Sequence, residues 1–135
     1  MPPREDTDAA PRGELAIRTV AMPADANASG DIFGGWLLAQ MDLAGGATAA
    51  RRARGRVATV AIESMAFHRP VLVGDVLSAY VELVRVGRSS MTYRIEAWSE
   101  RRAGSGQQKV TEAVFTFVAI DADRRPRPVP HGTEA

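Results

Sequence analysis

The sequence contains no cysteine, and it has one lysine and two histidines in 135 residues. The absence of cysteine excludes disulfides, thiolate metal sites, iron–sulfur clusters and a cysteine nucleophile. His68 and His131 are too few for a multi-histidine metal site. We therefore expect a protein that works without a bound metal and without a cofactor.

The chain also has almost no net charge. Its 17 Lys and Arg residues nearly balance 16 Asp and Glu residues and leave a net charge of +1. A charge this small does not favour nucleic acid or an anionic membrane as a partner. No apolar run approaches the roughly 18 residues that a membrane-spanning helix needs. The N-terminus has no apolar signal region, so we expect a cytoplasmic protein.

Proline is scarce in the middle of the chain. Six of the eight prolines lie within the first eleven or the last ten residues, and only Pro23 and Pro70 fall between them. Because proline interrupts helices and strand pairing, this distribution predicts one domain over residues 14–121. Residues 1–13 and the Pro/Arg-rich residues 122–135 are expected to be flexible tails.

The domain shows one helical pattern among several strand patterns. Leu37, Met41, Ala44 and Thr48 recur at helical spacing and predict a helix from Trp36 to about residue 54. Alternating apolar residues predict strands over residues 14–21, 76–86, 90–100 and 108–120. A β-rich segment that is apolar on both faces predicts another strand over residues 57–67. These strands are long, so the sheet is expected to curve. One helix against five antiparallel strands is an α+β fold.

The predicted helix is unusually rich in small residues around Asp42. Gly45 and Gly46 lie inside it, and each glycine costs about 1 kcal/mol relative to alanine. Close approach of the sheet is one explanation. A second is that glycine at positions i+3 and i+4 leaves one side of the Asp42 carboxylate sterically open. From the pattern alone, Asp42 is either solvent-facing or functional.

Several separated motifs resemble the hotdog-fold acyl-CoA thioesterases, and the YciA type most closely. Together these motifs span residues 15–121, which is essentially the whole predicted domain. They are NASGDIFGGW at residues 27–36, QMD at 40–42, FHRP at 67–70, VGDV at 73–76, GRSS at 87–90 and TEAVFTFVA at 111–119.

The resemblance implies that a curved antiparallel sheet wraps a long central helix. It also implies homodimers whose sheets join edge to edge, and a hexamer built as a trimer of dimers. The expected activity is hydrolysis of acyl-CoA to a carboxylic acid and coenzyme A. Asp42 matches the catalytic carboxylate and Asp31 matches a second polar catalytic residue, which faces it from the opposite subunit.

The resemblance further implies a set of substrate contacts. The helix start supplies N–H groups for the developing oxyanion, and glycine there lets substrate approach the backbone. Asp42 acts either as a general base on water or as a nucleophile, and the sequence favours neither. The expected oxyanion and substrate-binding residues are Asn27, Gly34, Gly35, Trp36, Thr59, Met65, Phe67 and Arg69. Those expected to bind the nucleotide of coenzyme A are Arg88, Ser89 and Ser90.

Two other functions compete with hydrolysis. A non-catalytic acyl-CoA-binding module is possible because fold alone does not determine function, although both acids are retained. A hotdog dehydratase needs a histidine paired with an acid near the helix, and neither Asp31 nor Asp42 has one within a turn or two. Structural roles are alternatives for two of these residues. Asp31 can be an acid favoured near the N-terminus of the helix, and Asn27 can stabilise its loop through side-chain-to-backbone hydrogen bonds.

Overall fold

The computed structural model describes residues 10–104 and 106–130. Its five strands form one antiparallel sheet in the order β1-β3-β4-β5-β2. The elements are β1 (Glu14–Val20), a 3-10 turn (Pro23–Asp25), α1 (Gly34–Ala53), β2 (Val57–Phe67), β3 (Val76–Val86), β4 (Ser90–Glu100) and β5 (Gln107–Ala119). The predicted single helix and five strands are confirmed, with α1 beginning two residues earlier than the sequence indicates.

The core lies between α1 and one face of the sheet, because α1 contacts all five strands. Residues recurring at helical spacing on α1 pack against alternate residues of the central strands. The buried residues on the helix are Leu37, Met41, Ala44, Gly45, Ala49 and Ala53. Aromatic rings of Tyr93, Phe115 and Phe117 fill the sheet side of this core.

The two interior glycines of α1 serve different purposes. A Cβ atom on Gly45 would lie 2.5 Å from Cδ1 of Ile95 and 2.8 Å from Cζ of Phe117, so the sheet approaches too closely for any side chain. A Cβ atom on Gly46 would meet only Cε1 of Phe117, at 3.8 Å, which is ordinary contact. Packing against the sheet therefore accounts for Gly45 and leaves Gly46 unexplained by sterics.

The helix ends at a left-handed residue, which is Arg54 with φ of 57°. The N–H of Gly55 then donates to the carbonyl of Ala50 at 3.1 Å. Gly55, which the sequence indicates as the helix stop, lies against the side chain of Arg127. A Cβ atom there would lie 2.5 Å from a guanidinium nitrogen of Arg127, so this side chain would have to shift.

The segment 122–130 packs against the domain, which differs from the flexible tail expected there. Arg127 donates to the carbonyls of Ile120 at 3.1 Å and Ala53 at 2.9 Å. Val129 is buried, and its N–H donates to the carbonyl of Arg88 at 2.8 Å. The prolines in this segment limit strand pairing, but they do not prevent the hydrogen bonds of Arg127 or the burial of Val129. In the expected N-terminal tail, residues 10–13 are described, and the N–H of Arg12 donates to Oε1 of Glu96 at 3.2 Å. Residues 1–9 and 131–135 lie outside the described residues.

Strand β2 is one edge of the sheet, and several of its exposed residues are apolar, although Thr59, Glu63 and Ser64 are exposed as well. Val60 and Phe67 are 57% and 53% exposed, and Leu43 on the neighbouring face of α1 is 59% exposed. A sheet edge with unpaired backbone groups and exposed apolar side chains is suited to pairing with another strand. No helix in the described part of the chain is long and apolar enough to cross a membrane.

Candidate active site

Asp42 lies on α1 where the helix borders the edge strand β2. Its side chain is half-buried, and the hydroxyl of Thr59 on β2 donates to its Oδ1 at 2.7 Å. Among the residues that the structure describes, Oδ2 of Asp42 has no hydrogen bond and the carboxylate forms no ion pair. One oxygen is thus held in place while the other remains available.

An open groove of about 470 Å³ surrounds this carboxylate. Gly46 and Ala47 form part of its floor, where the missing side chain of Gly46 provides room one helical turn beyond Asp42. Arg56 brings a positive charge to the same groove. The groove lies between α1 and the edge strand, so a second molecule against β2 would border it directly.

The start of α1 presents free amide groups. Its N-cap residue, Phe33, makes no side-chain cap. The N–H of Trp36 donates to the carbonyl of Phe33 at 3.1 Å, so this group is already used. The N–H groups of Gly34 and Gly35 have no partner within residues 10–104 and 106–130. Gly34 and Gly35 therefore have amide groups available at the start of α1, while the side chain of Trp36 packs partly against the core.

A cleft of about 200 Å³ opens beside these amides. Phe33, Gly34, Phe67 and Arg69 line it together with apolar neighbours. Phe67 is 53% exposed, and Arg69 is held by a hydrogen bond to the carbonyl of Lys109. The cleft thus brings together three residues expected from the sequence, Gly34, Phe67 and Arg69, with walls suited to an apolar chain.

Asn27 and Asp31 lie together in the loop before α1. The Oδ1 of Asn27 accepts from the N–H of Ser29 at 2.9 Å and of Asp31 at 3.1 Å, so Asn27 shapes the loop. The Asp31 residue is exposed, and its backbone forms an isolated antiparallel β-bridge with Leu72. Asp31 does not line the groove of Asp42 in the same chain.

The remaining expected contacts lie elsewhere. The turn with Arg88 and Ser89 joins β3 to β4, and its backbone is held by the segment 122–130 and by β5, leaving the Arg88 side chain exposed. Met65 on β2 is half-buried against the core and lines neither the cleft nor the groove of Asp42.

The structure adds residues that the sequence pattern did not single out for this site. Arg56, Val57 and Phe117 line the groove of Asp42. Arg56 directly precedes β2, the strand that carries Thr59, and this position is the sequence signal that indicates it. The part of the chain that the structure describes holds no group of three or more His, Asp or Glu residues able to bind a metal.

The family model described as Thioesterase superfamily matches residues 29–104 of the chain. The chain is 52% identical over 126 residues to the acyl-CoA thioester hydrolase YciA of Salmonella typhimurium, covering 91% of this chain and 95% of that protein.

Solved structures show the same similarity. The hexameric thioesterase y2039 from Yersinia pestis matches with a TM-score of 0.88 and 50% identity, covering 91% of this chain and all of that one. A hexameric hotdog-fold thioesterase from Campylobacter jejuni matches with a TM-score of 0.82 and 37% identity, covering 87% of this chain and 91% of that one. The expected hotdog fold is confirmed.

Proposed function

The chain belongs to the thioesterase superfamily and is an acyl-CoA thioester hydrolase, and we propose that Asp42 is its catalytic carboxylate. One observation carries this proposal. Asp42 is a half-buried acid in an open groove, with Oδ1 held by Thr59 at 2.7 Å and Oδ2 without a hydrogen bond in the described residues. An acid fixed through one oxygen can act on a reactant through the other.

Hydrolysis then needs a nucleophile and a place for negative charge. As a general base, Asp42 takes a proton from water as the water oxygen bonds to the thioester carbonyl carbon. The carbonyl oxygen gains negative charge, which the N–H groups of Gly34 and Gly35 can stabilise. Collapse of this intermediate breaks the carbon–sulfur bond and returns the proton to the sulfur of coenzyme A. Direct attack by Asp42, with an anhydride hydrolysed afterwards, is the other route.

We propose that two copies of the chain complete each site by pairing at β2. One edge of β2 pairs with no other strand among the described residues, and Val60 on it is 57% exposed. The groove of Asp42 adjoins this edge, whereas Asp31 lies outside that groove in its own chain. Asp31 of the second copy is the proposed partner of Asp42. Three such dimers would form a hexamer, the assembly named for the Yersinia pestis and Campylobacter jejuni proteins.

Recognition of coenzyme A is assigned to two basic positions. The exposed Arg88, beside the hydroxyl-bearing Ser89 and Ser90, suits the nucleotide phosphates. Arg56, in the groove of Asp42, is a second cation for the same anionic substrate. The cleft beside Gly34 would receive the acyl chain.

The proposed reaction uses water and side chains only, so it requires no cofactor. Acyl-CoA thioesters are intracellular metabolites, and the cytoplasm is the compartment we propose.

A thiol-release assay over a series of acyl-CoA chain lengths tests the function. We expect Asp42→Ala to abolish hydrolysis while acyl-CoA binding, measured by calorimetry, is retained. Asp123→Ala is the matched control, because Asp123 is an exposed acid outside the site. Near-normal turnover by the Asp42 variant would remove this residue from the mechanism.

A further inference from the structure

A second pocket lies on the opposite flank of α1, toward β1 and β3. It encloses about 310 Å³, the size range of small-molecule sites. It shares no lining residue with the groove of Asp42. Its lining residues are Glu14, Thr48, Arg51, Arg52, Val81, Leu83 and Tyr93.

Tyr93 contributes an unsatisfied hydroxyl to this pocket. The residue is 2% exposed, and its hydroxyl makes no hydrogen bond of good geometry in the described part of the chain, although the Arg52 side chain lies close to it. Burial raises the pKa of Tyr93, and the opposing charge and side-chain hydrogen bonding of Arg52, with the charge of Arg51, do not cancel it. The hydroxyl is therefore a neutral donor, and leaving such a group unbonded costs about 1–3 kcal/mol.

Two guanidinium groups flank this hydroxyl. Arg51 is exposed and Arg52 is half-buried, and neither forms an ion pair with a carboxylate in residues 10–104 or 106–130. Glu14 lines the same pocket but lies beyond salt-bridge distance of both. Interaction with the C-terminal end of the helix explains a basic residue here, but it does not explain the unbonded tyrosine.

The charge and the walls of the pocket define its ligand. Two arginines and one glutamate give the lining a charge of +1, which a monoanion balances and a dianionic phosphate exceeds. Val81 and Leu83 provide an apolar wall beside the charged end. We propose that this pocket binds a small monocarboxylate with a short apolar chain. Arg52 and the Tyr93 hydroxyl donate to its carboxylate, and the chain lies against Leu83.

The test uses the full chain in its native assembly, with 4-bromobutyrate as probe. Crystals soaked with it should show anomalous bromine signal beside Leu83, and calorimetry should give saturable binding. Arg52→Gln and Tyr93→Phe should each weaken binding about tenfold or more, because each removes a donor to the carboxylate. Arg125→Gln, an equal charge change at an exposed residue outside the pocket, should leave binding unchanged.

Thermal denaturation without ligand gives an independent readout. Tyr93→Phe should keep or raise the Tm, because it removes a buried hydroxyl that lacks a partner. Three results would each overturn the proposal: bromine only outside this pocket, equal affinity in both pocket variants and wild type, or tighter binding of inorganic phosphate than of 4-bromobutyrate.

Discussion

Alanine at Gly46 is expected to make the protein more stable and less active. Gly46 lies inside α1, and its missing side chain provides room in the groove of Asp42. Positions i and i+4 share a face of a helix, so a methyl group at residue 46 would point toward the space beside the carboxylate. Gly45→Ala is the matched comparison, because the same change one position earlier points into the core.

The two substitutions have opposite expected effects on the free energy of unfolding. Each gains about 1 kcal/mol of helix propensity. At Gly46 the new Cβ atom would meet Phe117 at 3.8 Å, so this gain is retained and the Tm should rise by about 3–5 °C. At Gly45 the new atom would lie 2.5 Å from Ile95, and overpacking of about 1–3 kcal/mol outweighs the gain.

Unfolding of the two variants should be measured at the same protomer concentration, because subunit association would contribute to their apparent stability. Thiol release gives kcat/KM, which we expect to fall severalfold for Gly46→Ala because the added methyl group narrows access to Asp42. If Gly46→Ala lost stability as Gly45→Ala does, or kept full activity, the assignment of Gly46 to the groove would be wrong.

Three further outcomes follow from contacts described by the structure. Thr59→Val removes the 2.7 Å hydrogen bond to Asp42 and should lower kcat about tenfold with little change in KM. Thr59→Ser keeps the hydroxyl group and should therefore keep kcat near the wild-type value. Arg88→Ala should raise KM for acyl-CoA more than for short pantetheine thioesters, and equal effects would argue against contact with the nucleotide. Burial opposes ionisation of Glu112, but the hydrogen bond and charge of Lys109 outweigh it and hold the pKa of Glu112 below its usual value of 4.5. This pair therefore stabilises the fold above pH 4.5, and its contribution is lost as the pH falls through the lowered pKa of Glu112. In acid unfolding, the free energy of unfolding of Glu112→Gln should therefore fall less steeply below pH 4.5 than that of the wild type.

Local pattern was enough to predict the elements of the fold. Period-two alternation predicts four of the strands, and the spacing of Leu37 and Met41 predicts the helix, because each period follows from backbone geometry. The fifth strand, β2, is predicted instead by its β-rich composition. The special position of Asp42 was also visible, since small residues one turn away are a local feature. The roles of the two glycines were not separable, because the distance from α1 to Phe117 depends on packing.

Contacts between distant segments were beyond local pattern. The anchor from Arg127 to the carbonyl of Ala53 joins residues 74 positions apart, and nothing near Arg127 in the sequence indicates it. A tail rich in proline and arginine therefore looked flexible, although Val129 is buried. The same holds for the bond from Thr59 to Asp42, which depends on where β2 passes α1.

Coexpression of two inactive variants tests the shared site most directly. One copy carries Asp42→Ala and the other Asp31→Ala, with separate tags that allow mixed assemblies to be purified. If the acids of each site come from two copies, one of the two sites in each mixed dimer keeps both acids, which is about half of the wild-type sites. In hexamers built from randomly paired dimers, about half of the dimers are mixed, so we expect thiol release at about a quarter of the wild-type level. Activity no higher than that of the separate variants would contradict a site shared between two copies.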